Sequence, residues 1–178
     1  VAKKYGWEVA GVEPNELARL KSSEKGVALL QNLDAIPTGD KYEVITLWHV
    51  LEHLPDLESQ IAKLVGLLTD NGTLVVAVPN FKSFDAKYYK EFWAAFDVPR
   101  HLWHFSKRSV QSIFAKHGMR LVRTKPMFFD AFYVALLSEK YKNGKQNFIK
   151  AFWIGLMSNI RALGSKEYSS LIYILKKA

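Results

Sequence analysis

Histidines occur in two short stretches of this sequence, and they are the side chains best suited to proton transfer. His49 and His53 lie in Y-E-V-I-T-L-W-H-V-L-E-H-L, and His101 and His104 lie in D-V-P-R-H-L-W-H-F-S. Because an imidazole ordinarily titrates near neutral pH, each of the four is a candidate general base. These two stretches are therefore the candidate reactive segments.

The first stretch also matches H-x-x-E-H, a pattern found in zinc peptidases. That pattern needs a helix of several turns, which places both histidines on one face. Here an apolar run reaches almost to His49, and Pro55 follows two residues after His53, so such a helix has no room. We predict a turn in this region and no metal site.

The same stretch has the order of strand, turn and helix. Val44–Leu47 is a short β-branched and apolar run, typical of a strand buried on both faces. Trp48 and His49 follow in a polar turn, and Pro55 and Asp56 open a helix. Open α/β sheets bind their ligands where strands end in such turns, which makes this corner a candidate ligand site.

Composition indicates one globular domain with a basic surface. The chain has 178 residues, of which 49% are hydrophobic and 24% charged. It has no cysteine, which excludes disulfides and thiolate zinc sites. The formal net charge of +8 favours acidic partners such as nucleotides, nucleic acid or anionic lipid. No secretory signal or membrane-spanning segment is visible, so we expect a cytoplasmic protein.

Strand and helix patterns alternate along the chain. Apolar runs predict strands at 7–13, 27–30, 42–48, 73–78, 119–125 and 169–176. Periodic or capped segments predict helices that begin at Pro14 and Ser106 and helices at 56–69, 127–141 and 146–163. The alternation predicts an α/β fold with a mostly parallel sheet. The last strand lacks an ordinary crossover helix, so we expect an antiparallel strand at that edge.

Four segments together resemble a class I S-adenosylmethionine-dependent methyltransferase, and within that class the ubiquinone-biosynthesis-type O-methyltransferases. They are G-W-E-V-A-G-V-E-P-N, the stretch around His49, N-G-T-L-V-V-A-V-P-N, and the stretch around His101 with the later H-G-M. The resemblance implies a Rossmann-like sheet in a single domain, 1–178. Its core would be 1–126 and 169–178, with a helical cap inserted at 127–168.

The resemblance also implies which residues bind the cofactor, S-adenosylmethionine. In the family, the acid that ends the second strand binds the ribose hydroxyls. The turn after the third strand reaches the adenine, and the turn after the fourth lies beside the transferable methyl group. The corresponding residues here are Glu13, Asn32, Leu33, Trp48 and His49. One carboxylate can accept two hydroxyl hydrogens, so Glu13 suits its position.

The sequence departs from the family pattern at its N-terminus. The family's first strand and glycine-rich turn are absent, and residues 1–5 read as the last turn of a helix that Gly6 ends. We infer that the natural protein has residues upstream. We also expect this N-terminally truncated chain to bind the cofactor weakly or not at all, because that glycine-rich turn lets the backbone approach the cofactor closely.

Methyl transfer to a hydroxyl group needs alignment, desolvation and a base. In the family the acceptor pocket commonly forms between the fifth strand and the next helix, so His101 is the first candidate base and His49 the second. A dense aromatic group at 81–96 is either a cover for the acceptor or core packing. The candidate substrate-binding residues are Arg100, His104, Trp93 and Phe84.

The sequence therefore predicts a methyltransferase that acts on a small-molecule acceptor at oxygen. An RNA or tRNA methyltransferase is an alternative, because the net charge is positive, and it predicts salt-dependent RNA binding. A methyltransferase-like scaffold without activity is an alternative of a different class. The helical cap could shape the acceptor site, support a homodimer or rest on a membrane surface.

Overall fold

The computed structural model describes residues 2–178, and their contacts divide the chain into two compact units, 1–41 and 42–178. Val1, which belongs to the predicted N-terminal helical turn, lies outside the described residues. The rest of that turn is a 3-10 helix at Ala2–Tyr5, followed by Gly6 in the left-handed region at φ +82°. The division into a core and a cap within one domain stays a prediction.

The first unit contains short helices and almost no sheet. Helix α1 spans Glu16–Ser23, and the Asn15 side chain caps it by accepting a hydrogen bond from the Ala18 N–H. The two strands predicted at 7–13 and 27–30 reduce to one parallel bridge between Val12 and Leu30, so these two strand predictions are wrong. Two short runs that pair only with each other are marginal as a sheet.

The second unit is built on a four-stranded mixed sheet with the order β1-β2-β4-β3. Strands β1 and β2 are parallel, and β4 is antiparallel to both of its neighbours. The α/β class and the antiparallel strand are confirmed. However, the last strand, β4, lies between β2 and β3, so β3 and not the last strand forms that edge of the sheet. The strands are β1 (Tyr42–Trp48), β2 (Leu68–Pro79), β3 (Met119–Pro126) and β4 (Ser170–Lys177).

Five helices accompany this sheet. Ser106 caps α4 through a capping box with Ser109, which confirms the predicted start of that helix. The helix predicted at 56–69 is shorter, because the chain enters β2 at Leu68. The helices are α2 (Leu57–Leu67), α3 (Phe84–Tyr89), α4 (Lys107–Ala115), α5 (Asp130–Asn143) and α6 (Phe148–Ser165).

The two central strands form the middle of the core. Leu74 and Val76 of β2, with Tyr173 and Leu175 of β4, are fully buried. The residues between them, Val75 and Ile174, are also apolar, as expected for strands covered on both faces. The sheet is therefore a rigid base for the turns that follow its strands.

Helices α5 and α6 pack closely against each other at the predicted cap, and α6 packs through its small residues. A Cβ atom added to Gly155 would lie 2.9 Å from the Cα atom of Phe132, so the two backbones nearly touch. Most of the larger apolar side chains of α6, which the sequence groups in one stripe, are exposed, and Phe152 stacks on Phe132 of α5 with ring centroids 5.5 Å apart. Within residues 2–178, no helix combines the length and apolar character needed to cross a bilayer.

Candidate active site

The turn after β1 begins with a residue in an unusual backbone conformation. His49 has φ +52°, in the left-handed region that side chains other than glycine seldom adopt. Its N–H donates to the Ala77 carbonyl of β2 at 2.9 Å, so the turn is fixed to the sheet. Backbone strain of this kind persists where the surroundings hold it, often at functional sites.

The His49 imidazole lies between two carboxylates. Its Nδ1 is 3.2 Å from Oε1 of Glu52, and its Nε2 is 3.1 Å from Oδ2 of Asp130 at the start of α5. The hydrogen bond to Asp130, and then the one to Glu52, raise the pKa of His49 to about 9. At neutral pH the ring is therefore an imidazolium that donates both N–H groups.

Asp130 is a site residue that the sequence analysis missed. It lies 81 residues from His49 in the chain, and it reads as an ordinary first-turn acid of a helix. No spacing rule connects a strand-end turn to a helix of the cap. The only signal was that an acid lies near the start of the segment predicted as the inserted helix.

A cavity of about 490 Å³ opens beside His49. The end of β2, the segment between α3 and α4, and helix α5 all contribute to its walls. The polar and aromatic side chains in its lining include His49, Asp97, Arg100, His101, Asp130 and Tyr133. Both candidate bases therefore face one space of a volume that suits a small-molecule ligand.

His101 presents one ring nitrogen that can accept a proton. Its Nδ1 is 2.8 Å from the Ala95 carbonyl oxygen, which accepts only a hydrogen bond, so Nδ1 carries the hydrogen. In the neutral ring the lone pair is then on Nε2, which lies 4.0 Å from Oδ2 of Asp97. The side chain is 11% exposed, so the ring is largely shielded from bulk water.

The other predicted acceptor residues differ in their positions. Arg100 lines the cavity and donates from Nη1 to Oδ2 of Asp97 at 2.7 Å. The Nε2 atom of His104 is 2.9 Å from the Phe96 carbonyl oxygen, so this histidine fixes the loop, and the cavity lining does not include it. Both residues stabilise the segment that carries His101.

Trp93 and Phe84 lie away from the cavity, contrary to the expectation that they bind substrate. Trp93 is 2% exposed, and its indole N–H donates to Asp85 at 2.7 Å, so it is a core residue. The ring of Phe84 lies 4.1 Å from the guanidinium of Arg161 on α6. The aromatic group at 81–96 therefore serves mainly as packing between α3 and the helical pair.

Three side chains near His49 have the geometry of potential metal ligands. One ligand atom each from Glu52, His53 and His101 lies within 4.8 Å of the others. This set differs from the zinc-peptidase pattern, because His49 bonds carboxylates and residues Leu51–His53 form a single 3-10 turn. Glu52 is 1% exposed, and its backbone carbonyl accepts from the Leu102 N–H at 2.8 Å. It thus also connects the turn to the loop of His101.

Comparison with known proteins identifies the family. The chain matches a family model described as a methyltransferase domain over residues 1–124, well over half of its length. The chain belongs to the methyltransferase domain family. No curated protein matches its sequence. The ubiquinone-biosynthesis-type subgroup stays a prediction.

Solved structures confirm the fold of this methyltransferase domain. A mitomycin 7-O-methyltransferase superposes with a TM-score of 0.62 at 15% identity, covering 98% of this chain and 43% of that one. The magnesium protoporphyrin IX methyltransferase from Synechocystis PCC 6803, with bound S-adenosylhomocysteine, superposes with a TM-score of 0.60 at 16% identity. The match covers 98% of this chain and 66% of that one. A cyclopropane synthase from Mycobacterium tuberculosis superposes with a TM-score of 0.62 at 12% identity, covering 99% of this chain and 72% of that one. The chain thus spans less than two thirds of the first two relatives.

The predicted adenosine-binding residues of the methyltransferase domain lie in its first unit. The parallel bridge between Val12 and Leu30 places the segments that end in Glu13 and Asn32 side by side. The Asn15 N–H donates to Oε1 of Glu13 at 2.8 Å, and in the described part of the chain Oε2 makes no hydrogen bond. Asn32 caps the short 3-10 helix that begins at Leu33.

Trp48 and His49, the remaining predicted cofactor residues of the methyltransferase domain, lie in its second unit. Trp48 is the last residue of β1, and its side chain is 50% exposed. A half-exposed indole at the end of a parallel strand gives a flat apolar surface beside the charged His49. This arrangement suits the strand-end position at which open α/β sheets bind ligands.

Proposed function

We propose that the protein is an S-adenosylmethionine-dependent methyltransferase that transfers a methyl group to oxygen of a small-molecule acceptor. Membership of the methyltransferase domain family supports the reaction class. The observation that carries the choice of acceptor is the single ring nitrogen of His101, which can take a proton in a cavity of about 490 Å³. A hydroxyl acceptor is the type that needs such a base.

The residues present fit the cofactor in each unit. In the first, Glu13 has a carboxylate oxygen suited to ribose hydroxyls, and the Asn32–Leu33 turn beside it suits the adenine. In the second, Trp48 and His49 occupy the strand end where the methyl group would lie. When bound, S-adenosylmethionine supplies an activated methyl group on a sulfonium.

The two histidines have different roles in this proposal. His101 accepts the proton of the acceptor hydroxyl at Nε2, while its Nδ1–H stays bonded to the Ala95 carbonyl. His49 holds its protons at neutral pH, because two carboxylates stabilise the imidazolium. His49 therefore fixes the turn and α5 in place, and His101, the first candidate, stays the proposed base.

The substitution His101→Asn, made in the full-length protein, tests the base. An asparagine amide keeps a donor near the Ala95 carbonyl but lacks an atom at the Nε2 position. We expect kcat/KM to fall by about a hundredfold or more. The affinity for S-adenosylmethionine should stay unchanged. Methyl transfer is measured with labelled cofactor and a panel of phenolic acceptors, and cofactor binding is measured by calorimetry.

His117→Gln is the matched control, since His117 bonds the exposed Glu58 at 2.7 Å, outside the cavity lining. It should keep normal turnover. Normal turnover of His101→Asn would disprove the role of His101 as base. Absence of cofactor binding by the full-length protein, together with a stable oligomer, would favour the inactive scaffold. Tight, salt-dependent RNA binding with methylation of RNA would favour the alternative acceptor.

A further inference from the structure

Helix α6 has its small residues inside and its large apolar residues outside. Ala151, Gly155, Ser158 and Ala162 are buried against the rest of the unit. At 3.6 residues per turn, Ile149, Trp153, Ile160 and Leu163 lie opposite these small residues along a helix of about 27 Å. Phe148 and Phe152 lie at one edge of this exposed side, where Phe152 stacks on Phe132 of α5. We call this side the outer face of α6: Phe148, Ile149, Phe152, Trp153, Ile160 and Leu163, which are 48% to 76% exposed.

Cations lie at both ends of this face, and exposed acids do not. Between residues 131 and 166 the only acidic residue is Glu139, which is fully buried and bonded to Lys150 at 3.0 Å. The exposed cations of the α5–α6 pair flank the beginning and the end of α6. We call them the basic rim: Lys140, Lys142, Lys145, Arg161 and Lys166.

We propose that the outer face of α6 lies on an anionic lipid surface. A helix with a continuous apolar side that includes tryptophan and phenylalanine, bordered by lysine and arginine, has the composition of an interfacial helix. The apolar side chains would enter the boundary between headgroups and acyl chains, and the basic rim would contact lipid phosphates. This surface is outside the cavity and requires no assumption about the acceptor.

Charge favours lipid over a second copy of this chain. A symmetric dimer through the outer face would bring two basic rims together with no exposed acid in the pair to oppose them. Like charges brought together at an interface oppose association. An anionic lipid surface, in contrast, complements the rim at both ends of the helix.

Helix α5 connects this surface to the cavity. Tyr133 and Leu137 of α5 line the cavity, and Phe132 of the same helix packs on Gly155 of α6. A protein resting on its outer face would therefore hold the cavity near the lipid surface. Contact with lipid would cover the large apolar side chains that α6 leaves outside the core.

Vesicle flotation tests the proposal. Phosphatidylcholine vesicles are prepared with and without phosphatidylglycerol, and the bound fraction of the protein is measured at low and high salt. We expect binding to the anionic vesicles, which salt reduces, and little binding to the neutral ones. Equal binding to both kinds of vesicle would overturn the role of the basic rim.

Two variants separate the apolar contribution from the charge. Ile149→Glu, at a 76% exposed position, should reduce the partition coefficient by about tenfold or more, because an apolar side chain no longer enters the lipid. The double variant Lys142→Glu, Lys145→Glu should reduce it by at least roughly fivefold per lysine. Leu17→Glu on α1 is the control, since Leu17 is 70% exposed and outside the surface, and it should bind like the wild type.

Circular dichroism and thermal melting verify that each variant is folded. An equal loss of binding in Leu17→Glu would overturn the assignment to α6. A wild-type protein that ignores anionic vesicles would also overturn it. If that protein forms a dimer that Ile149→Glu dissociates, the outer face is an interface between copies of this chain.

Discussion

His49 combines a left-handed backbone with a ring held between two acids. Its charged state follows from geometry, since both ring nitrogens lie within 3.2 Å of carboxylate oxygens. An imidazolium has no free lone pair on either ring nitrogen, so it cannot take the proton of a methyl-acceptor hydroxyl. At the scale of the residue, the hydrogen-bond partners therefore decide which histidine can act as the base.

Asp130→Asn tests this assignment, because it removes the charge of the partner that contributes most to the shift. We expect the pKa of His49 to fall from about 9 toward its ordinary value of 6.5, by about one to two units. Titration of the imidazole by NMR measures it. Asp70→Asn, at an exposed site, should leave the titration unchanged. An unmoved pKa in Asp130→Asn would show that the bond to Asp130 does not form in solution.

Sequence reasoning found the histidines but not their partners. His49, Glu52 and His101 stand in the two stretches singled out for their chemistry, and the structure brings all three together. Asp130 and Tyr133 belong to a helix predicted as a separate cap, so no local pattern linked them to the cavity. Trp93 was predicted to bind substrate but is buried in the core. The sequence of a loop does not show whether its aromatic side chains face a ligand or the core.

At the scale of elements, one buried acid joins three parts of the second unit. Asp85 of α3 accepts hydrogen bonds from Trp93 at 2.7 Å, Ser158 of α6 at 2.6 Å and Ser169 at 2.7 Å. The residue is fully buried, and its two carboxylate oxygens accept all three of these hydrogen bonds. It therefore stabilises the attachment of the helical pair to the start of β4.

Asp85→Ala should destabilise the protein strongly. It leaves three buried donors without an acceptor, and we expect the free energy of unfolding to fall by about 3–5 kcal/mol, since each costs roughly 1–3 kcal/mol. Urea denaturation followed by circular dichroism measures the change. Asp70→Ala, whose side chain is fully exposed, should have no measurable effect. Equal stability of the two variants would mean that the Asp85 network contributes nothing.

Periodicity predicted the existence of α6 but not its orientation. The apolar stripe indicated a helix, and an apolar stripe normally faces a core. The buried side is instead formed by Ala151, Gly155 and Ser158, because only small residues permit the close approach to Phe132. Choosing between the two faces required knowledge of what α6 packs against, which the sequence of one helix does not contain.

At the scale of the whole molecule, the sheet of the second unit was predictable and the first unit was not. Strands β1, β2, β3 and β4 each carry a continuous or alternating apolar run that fixes their type. The order β1-β2-β4-β3 depends on long-range pairing, so the sequence indicated an antiparallel strand without its interior position. The runs at 7–13 and 27–30 resemble strands locally but make only one bridge.

Stability should decline in alkaline solution, because several groups hold their protons more tightly in the folded state. The raised pKa of His49 gives stability that is complete below pH 6.5 and is lost as the pH rises through about 9. Burial also raises the pKa of Tyr89 and Tyr173 above the ordinary value of 10.0, so their contributions fall only above that pH.

Tyr173→Phe isolates one of these contributions. The Tyr173 hydroxyl is buried and has no hydrogen-bond partner among residues 2–178, so its removal should not lower stability at pH 7. Above pH 10 the variant should lose stability less steeply than the wild type, because it no longer has a phenol that ionises only on unfolding. Urea denaturation at a series of pH values measures both slopes. Tyr133→Phe, at a 65% exposed site, should follow the wild-type curve. Parallel curves for Tyr173→Phe and the wild type above pH 10 would show that this phenol ionises as readily in the folded protein as in the unfolded chain.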